Sequence, residues 1–398
     1  MLVERVIIGG WFQRTTLHLS EIFDFLRYGT SQLKLDAGKL KKFQEDLRLT
    51  GVEYKIYGME FLRVTTAEKI NIDVYEDGLI ILYTSEAMEI DRNTLGENLK
   101  FLTEFYEQRF SPALTYLFST GAPVPKELAN IKTVYPYFFV FDNAPKQEVL
   151  DLLSSIEQEK YLEEDNENYD LFRGDRFYLI NRQKISLETT RSFIEEQIFL
   201  REFKAQLHRY LNIHRIIWEK IDMIREKKVI KGKDIAQVRH QIEGYAKTIN
   251  LIGARMNQMG SYLATREKSV MEDPDLALFM DVVDYRFEAL ANTLSYTKDL
   301  WRMTENHVSS SLHLLDNLQQ EMTSKSIENL TVITVIGVGT SVMWFLGLAE
   351  SMPQLNLFSI LFLVGLVVLG YVSSWLVKWH ANRTSYEYND ADYDKDIK

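Results

Sequence analysis

The chain has 398 residues, 57 acidic against 46 basic side chains, a formal net charge of −11 and no cysteine. The acidic balance argues against nucleic acid as a partner, because phosphate backbones are held by clustered Lys and Arg. The lack of cysteine excludes disulfides, thiolate metal sites and thiol nucleophiles, and it fits a reducing cytoplasm.

Residues 1–186 mix strand and helix periods. Val3–Ile8 reads as a strand, and Ser20 can cap a helix over Glu21–Arg27 with Ile22, Phe23 and Leu26 on one side. A second helix is predicted over Ala37–Leu47, then strands at Val52–Tyr57, Phe61–Thr66, Ile70–Tyr75 and Leu79–Thr84. Glu76-Asp77-Gly78 joins the last two as a hairpin turn, since glycine tolerates positive φ. A helix over Leu95–Arg109 precedes Gly121-Ala122-Pro123-Val124-Pro125, a loop because proline lacks a donor and restrains its predecessor. Tyr137–Phe141 and Arg176–Ile180 read as strands and Lys146–Ile156 as a helix. The acidic run Glu163, Glu164, Asp165, Glu167 and Asp170 reads as a solvated mobile loop, or as acids whose repulsion a regulatory cation relieves. This interleaving is that of an α/β domain with a buried sheet.

Residues 187–329 lose proline and strand signals and form a helical stalk bundle. Helices are predicted over Leu187–Glu226 and Lys233–Glu267, and Asp273-Pro274 starts a third. In the third, Leu276, Met280, Val283, Phe287, Leu290, Leu294, Thr297, Trp301, Thr304, Val308, Ser311, Leu315, Leu318 and Met322 alternate steps of four and three. That is a heptad stripe, the pattern of a helix packed on others along its length. Thr297, Thr304 and Ser311 interrupt it and suggest a partly wet centre. No break separates Pro274 from the next segment, so one helix is expected over Asp275–Leu348.

Residues 330–377 hold two uncharged apolar runs, Leu330–Leu348 and Leu355–Val377. A bilayer core about 30 Å thick takes about 20 helical residues, so each run is long enough to span it. Lys325 precedes the first run, Lys378, His380 and Arg383 follow the second, and the loop between them carries only Glu350. By the positive-inside rule this is a multi-pass protein of the inner or plasma membrane with both termini cytoplasmic. Met1–Gly10 is too short and too charged for a signal peptide. Residues 378–398 are an acidic, tyrosine-rich cytoplasmic tail expected to be disordered. The chain is thus α+β: a cytoplasmic α/β domain, a long helical stalk and a two-helix transmembrane hairpin.

Asn329-Leu330-Thr331-Val332-Ile333, Ser351-Met352-Pro353-Gln354-Leu355 and Lys378-Trp379 are similar to segments of the CorA family of divalent-cation channels. The architecture resembles that family over most of the chain, while the motif-level likeness covers Ser324–Arg383. The resemblance implies a homopentamer whose first membrane helix lines the pore, with Ile327 and Leu330 at apolar gate positions. The family's Gly-Met-Asn signature is not kept: Gly347-Leu348-Ala349 stands there, and a methyl group cannot hydrogen-bond an ion's water shell. Glu350 follows and reads either as a carboxylate at the outer mouth or as an exposed loop acid.

Steps of three, three and four put Thr331, Thr334, Gly337 and Ser341 on one stripe of the first run. Such a stripe lines a water-filled pore or lets membrane helices approach closely. Two functions follow. The first is a CorA-like homo-oligomeric channel for divalent cations of the magnesium type, with Thr331, Thr334, Gly337, Ser341 and Gly347 lining the pore. The second is a membrane-anchored effector that binds a small-molecule signal in its cytoplasmic domain and permeabilises the bilayer. No cofactor is expected; a divalent cation is substrate or regulator, and no metal ligands are assigned. The seven histidines are scattered, His208/His214 and His307/His313 each six apart, so surface or stalk-packing roles are expected. No phosphate loop or nucleophile motif is present, so no enzyme activity is expected.

Overall fold

The computed structural model describes residues 2–12, 18–57, 59–89, 94–118, 136–155, 160–174, 176–226, 229–274 and 276–347, and then 364–365, 368, 371–373, 375–377, 379 and 383–387. These fall into two compact units, residues 1–210 with 251–298 and residues 211–250 with 299–398.

The first unit contains a sheet that is nine-stranded among the described residues. In chain order the strands are β1 (Leu2–Val3), β2 (Arg5–Trp11), β3 (Leu49–Tyr57), β4 (Met59–Thr66), β5 (Ile70–Tyr75), β6 (Leu79–Thr84), β7 (Met88–Glu89), β8 (Tyr137–Asp142), β9 (Lys160–Asp165), β10 (Tyr169–Gly174) and β11 (Phe177–Arg182). Their order across the sheet is β3-β4-β5-β6-β2-β8-β11-β10-β9, with β1 and β7 paired apart from it. The β8–β11 pair is parallel and its neighbours are antiparallel, so the domain is α+β rather than doubly wound. The turn at Glu76-Asp77-Gly78 has the expected form: Gly78 sits at φ 94° and donates to the Tyr75 carbonyl at 3.0 Å.

One face of the sheet packs on α1 (Leu19–Tyr28), α2 (Ala37–Asp46), α3 (Thr94–Phe105), α4 (Ser111–Phe118) and α5 (Lys146–Ser155). A π-helical turn over Tyr106–Phe110 links α3 to α4. Alternate strand residues point into this core, among them Val6, Ile8, Leu62, Val64, Ile72, Val74, Ile80, Leu82, Phe139 and Phe141. The cap of α1 differs from expectation. The helix begins at Leu19, so Ser20 lies within it, and the Glu21 carboxylate accepts from the His18 backbone N–H at 3.1 Å. Asp36 caps α2 by accepting from the Lys39 N–H at 2.8 Å.

The acidic run is also corrected. It lies on β9, β10 and the turn between them: Tyr169, Leu171 and Phe172 of β10 are buried, while lysines meet the acids. Lys146 bonds Asp165, and Lys184 pairs with Glu167 at 2.9 Å.

The opposite sheet face carries the first part of α6 (Leu187–Arg225). Trp11 packs edge-on against Phe199 with ring centroids 5.3 Å apart, and a Cβ at Gly9 would come within 2.6 Å of the Ile80 carbonyl oxygen. From the same unit, residues 251–272 of α7 (Gly232–Glu272) follow, then a 3-10 turn over Leu276–Phe279 and the start of α8 (Met280–Gly347). Phe279 stacks between Tyr169 and Phe193 at 4.5 and 4.1 Å.

Helix α8 runs unbroken for 68 residues, about 100 Å at 1.5 Å per residue. Phe287, Leu290, Leu294, Thr297, Trp301, Thr304, Val308, Ser311 and Leu315 are all buried, which is the expected heptad stripe. Its three hydroxyls do not need a wet centre. Thr297, Thr304 and Ser311 donate to the carbonyls of Thr293, Leu300 and His307, four residues earlier, at 2.7, 3.0 and 2.9 Å. In the second unit, Trp218 stacks on His307 at 4.6 Å and His214 meets Trp301 edge-on at 5.8 Å, so these histidines do pack within the helices.

Among the described residues no helix is long and apolar enough to cross a membrane. Leu355–Val377 falls mostly outside them, as do the proline loop at 121–125 and Glu350. One element of the tail is placed: β13 (Ser385–Glu387) pairs antiparallel with β12 (Val229–Lys231), where the sequence predicts disorder. Gly232 N–H extends the ladder to the Thr384 carbonyl at 3.0 Å.

Candidate functional sites: a charged cleft and the end of helix α8

Sheet register builds the first site. On the face toward α6, Phe61 lies opposite Tyr75 and Arg63 opposite Asp73. The rings of Phe61 and Tyr75 stack at 4.9 Å, with the Arg63 guanidinium 5.2 Å above Phe61. Helix α6 lays Arg191 and Glu195 over this strip one turn apart, joined at 2.9 Å. Arg191 also bonds Asp73, which is fully buried and bound by Arg63 at 3.1 Å. Tyr75 donates its hydroxyl proton to Glu195 at 2.6 Å.

Helix α7 adds Arg266, whose Nε donates to Asp77 at 2.5 Å and Nη1 to Glu196 at 2.6 Å. The cleft above these groups has a volume of about 630 Å³, with Met59, Phe61, Val270 and Leu276 on its walls and Glu188, Glu272 and Asp273 around it.

Burial governs the protonation of this cluster. It opposes charge on Arg191 and Arg266, yet the surrounding carboxylates hold both above the ordinary arginine range. It raises the Glu195 carboxyl against the pull of Arg191 and Tyr75. It pushes Glu196 up to about 7 against Arg266, with Asp77 and Glu195 adding to the rise. Nothing in the sequence marked this cleft, since its residues lie between positions 55 and 276. The only local signal was the Arg191–Glu195 spacing.

The second site is the end of α8. Ile327, Leu330, Thr331, Thr334, Gly337 and Ser341 share one helix face, as their spacing requires. Ile327, Leu330, Thr331, Thr334 and Ser341 are exposed. The Thr331, Thr334 and Ser341 hydroxyls donate to the carbonyls of Ile327, Leu330 and Gly337 at 2.9, 2.8 and 2.8 Å. Each proton is thereby engaged inside the helix, and the oxygen keeps lone pairs for an outside donor or cation. Gly347 is the last residue of the helix. No group of three or more His, Asp or Glu placed to hold a metal ion occurs among the described residues.

No family model matches the sequence, and no curated protein matches it. Two similar solved structures are the CorA magnesium transporter from Methanocaldococcus jannaschii and the full-length CmaX protein. The first is 10% identical, covers 63% of this chain and 91% of its own, and has a TM-score of 0.28. The second is 12% identical, covers 64% and 92%, and has a TM-score of 0.26. At these values the likeness carries no argument about activity.

Proposed function

We propose that the chain is a CorA-like homo-oligomeric membrane channel for divalent cations of the magnesium type, its pore lined by the end of α8. The observation that carries this reading is the change of surroundings along that helix. The apolar side chains of its heptad stripe are buried from Phe287 down to Leu315, whereas Ile327, Leu330, Val335 and Val338 are 58%, 41%, 65% and 58% exposed. Tyr371 and Trp375, within the second run, and Trp379, just beyond it, are exposed as well. Contiguous apolar surface of this kind is covered by lipid or by other copies of the chain.

The β12–β13 pair supports a hairpin. Residues 385–387 lie beside residues 229–231, so a chain that crosses a bilayer after Leu330 must cross back before Ser385. Both termini are then on one side, the cytoplasm by charge. The stripe of Thr331, Thr334, Gly337 and Ser341 faces the pore because its hydroxyl oxygens suit hydrated cations. Ile327 and Leu330 form the apolar gate at the cytoplasmic end, and Gly347 and Glu350 stand at the outer mouth. Five subunits is the number the sequence resemblance implies.

Two measurements test this reading. Native mass spectrometry of the full chain in detergent gives a multimer; a monomer contradicts a pore. The chain has no cysteine, so single substitutions are unambiguous reporters. In proteoliposomes, Thr334→Cys reacts with an aqueous thiol reagent while Val335→Cys is shielded, and equal labelling contradicts the pore face.

The cleft of the first unit favours a second reading, a ligand-gated effector of the same architecture.

A further inference from the structure

Among the described residues, the charges clustered beneath the cleft do not balance. Three guanidiniums, Arg63, Arg191 and Arg266, meet four carboxyl groups, Asp73, Asp77, Glu195 and Glu196. Lys55 does not supply the missing charge, since it pairs with Glu53 at 2.6 Å. Glu188, Glu272 and Asp273 add negative charge to the lining. The imbalance coincides with two open hydrogen-bonding positions. Glu196 is 7% exposed and its Oε2 has no hydrogen-bond partner among the described residues; nor has Nη2 of Arg266, which is 3% exposed. Both residues line the cavity.

We propose that this cleft binds a small organic amine, its ammonium paired with Glu196 and its body held against Met59, Phe61 and Leu276. The charge count selects a cation. An added carboxylate or phosphate would serve Arg266 but deepen the negative excess. The lack of a three-ligand group among the described residues, together with the apolar walls, selects an organic cation over a metal ion. A neutral oxygen on the same molecule accepts from Arg266 Nη2, so amino alcohols fit better than plain amines. Without a bound amine, burial makes Glu196 take up a proton more readily than an ordinary carboxyl. Asp77, Glu195 and Arg266 are the charged groups that face it. This inference rests on the first unit alone and stands whether or not the chain conducts ions.

Titration calorimetry on the full chain in detergent tests it, with ethanolamine, glycine and putrescine as probes and acetate as the comparison. Ethanolamine should bind saturably and about tenfold more tightly at pH 8 than at pH 6, because Glu196 ionises across that interval. At pH 7, buffers of different ionisation heat should show about half a proton released per ligand. Glu196→Gln should abolish both the binding and its pH dependence. Met59→Trp narrows the cavity without touching the charges, and should weaken binding with circular dichroism unchanged; it serves if Glu196→Gln does not fold. The proposal is overturned by no saturable heat from any of the three amines at either pH, by tighter binding of acetate than of ethanolamine, or by binding that neither variant alters.

Discussion

Gly9 and Glu202 show how single positions are constrained in opposite ways. At Gly9 a methyl group would meet a backbone oxygen at 2.6 Å and the Ile198 Cδ1 at 2.9 Å, and the oxygen belongs to the neighbouring strand and cannot swing away. Gly9→Ala should therefore lower unfolding stability by about 1–3 kcal/mol, measured by denaturant titration. Glu202 is constrained by charge. Burial pushes its carboxyl up to about 7, with Arg209 and Arg201 pulling the other way. A raised carboxyl favours the native state below its unfolded value, and that contribution is lost as pH rises through 7. Glu202→Gln should thus change stability little at pH 5 and raise it at pH 8 by up to about 3 kcal/mol; equal effects at both values would refute the shift. Neither position was marked in the sequence. Gly9 needs its partner strand to be known, and Glu202 needs its burial. The cleft residues were hidden in the same way: Arg63, Asp73, Tyr75, Arg191 and Arg266 gain meaning only through register and helix placement.

At the scale of elements, periodicity was a good guide where one face is buried. Strands β5 and β6 and helix α5 lie where their patterns put them, and the heptad stripe on α8 is buried from Phe287 to Leu315. The failures have physical causes. Strands β9 and β10 were masked by carboxylates whose lysine partners come from α5 and from the segment after β11. The Thr and Ser interruptions of the stripe suggested water because sequence alone does not show a hydroxyl turning back on its own helix. Thr304→Val tests that correction. The substitution keeps the shape and removes a hydroxyl bonded to the Leu300 carbonyl, so stability should be unchanged or raised by up to about 1 kcal/mol. A loss of more than about 1 kcal/mol would mean that the hydroxyl serves a partner outside its helix.

For the whole molecule, the decisive fact is that α8 carries both the buried heptad stripe and the exposed apolar residues from Ile327 onward. The sequence made that continuity legible, because no proline or break occurs between Pro274 and Leu348. It did not make legible the return of Ser385–Glu387 to Val229–Lys231, a three-residue pairing with no strong β pattern. In the proposed hairpin, these two features are what a chain that leaves and rejoins the side of β12 requires. Uptake of magnesium into proteoliposomes carrying the full chain tests that account most directly. Wild-type protein should admit the ion down its gradient, and Ile327→Gly should raise the rate severalfold by opening the apolar ring. A membrane that stays tight with both proteins, each correctly folded and inserted, would contradict the channel.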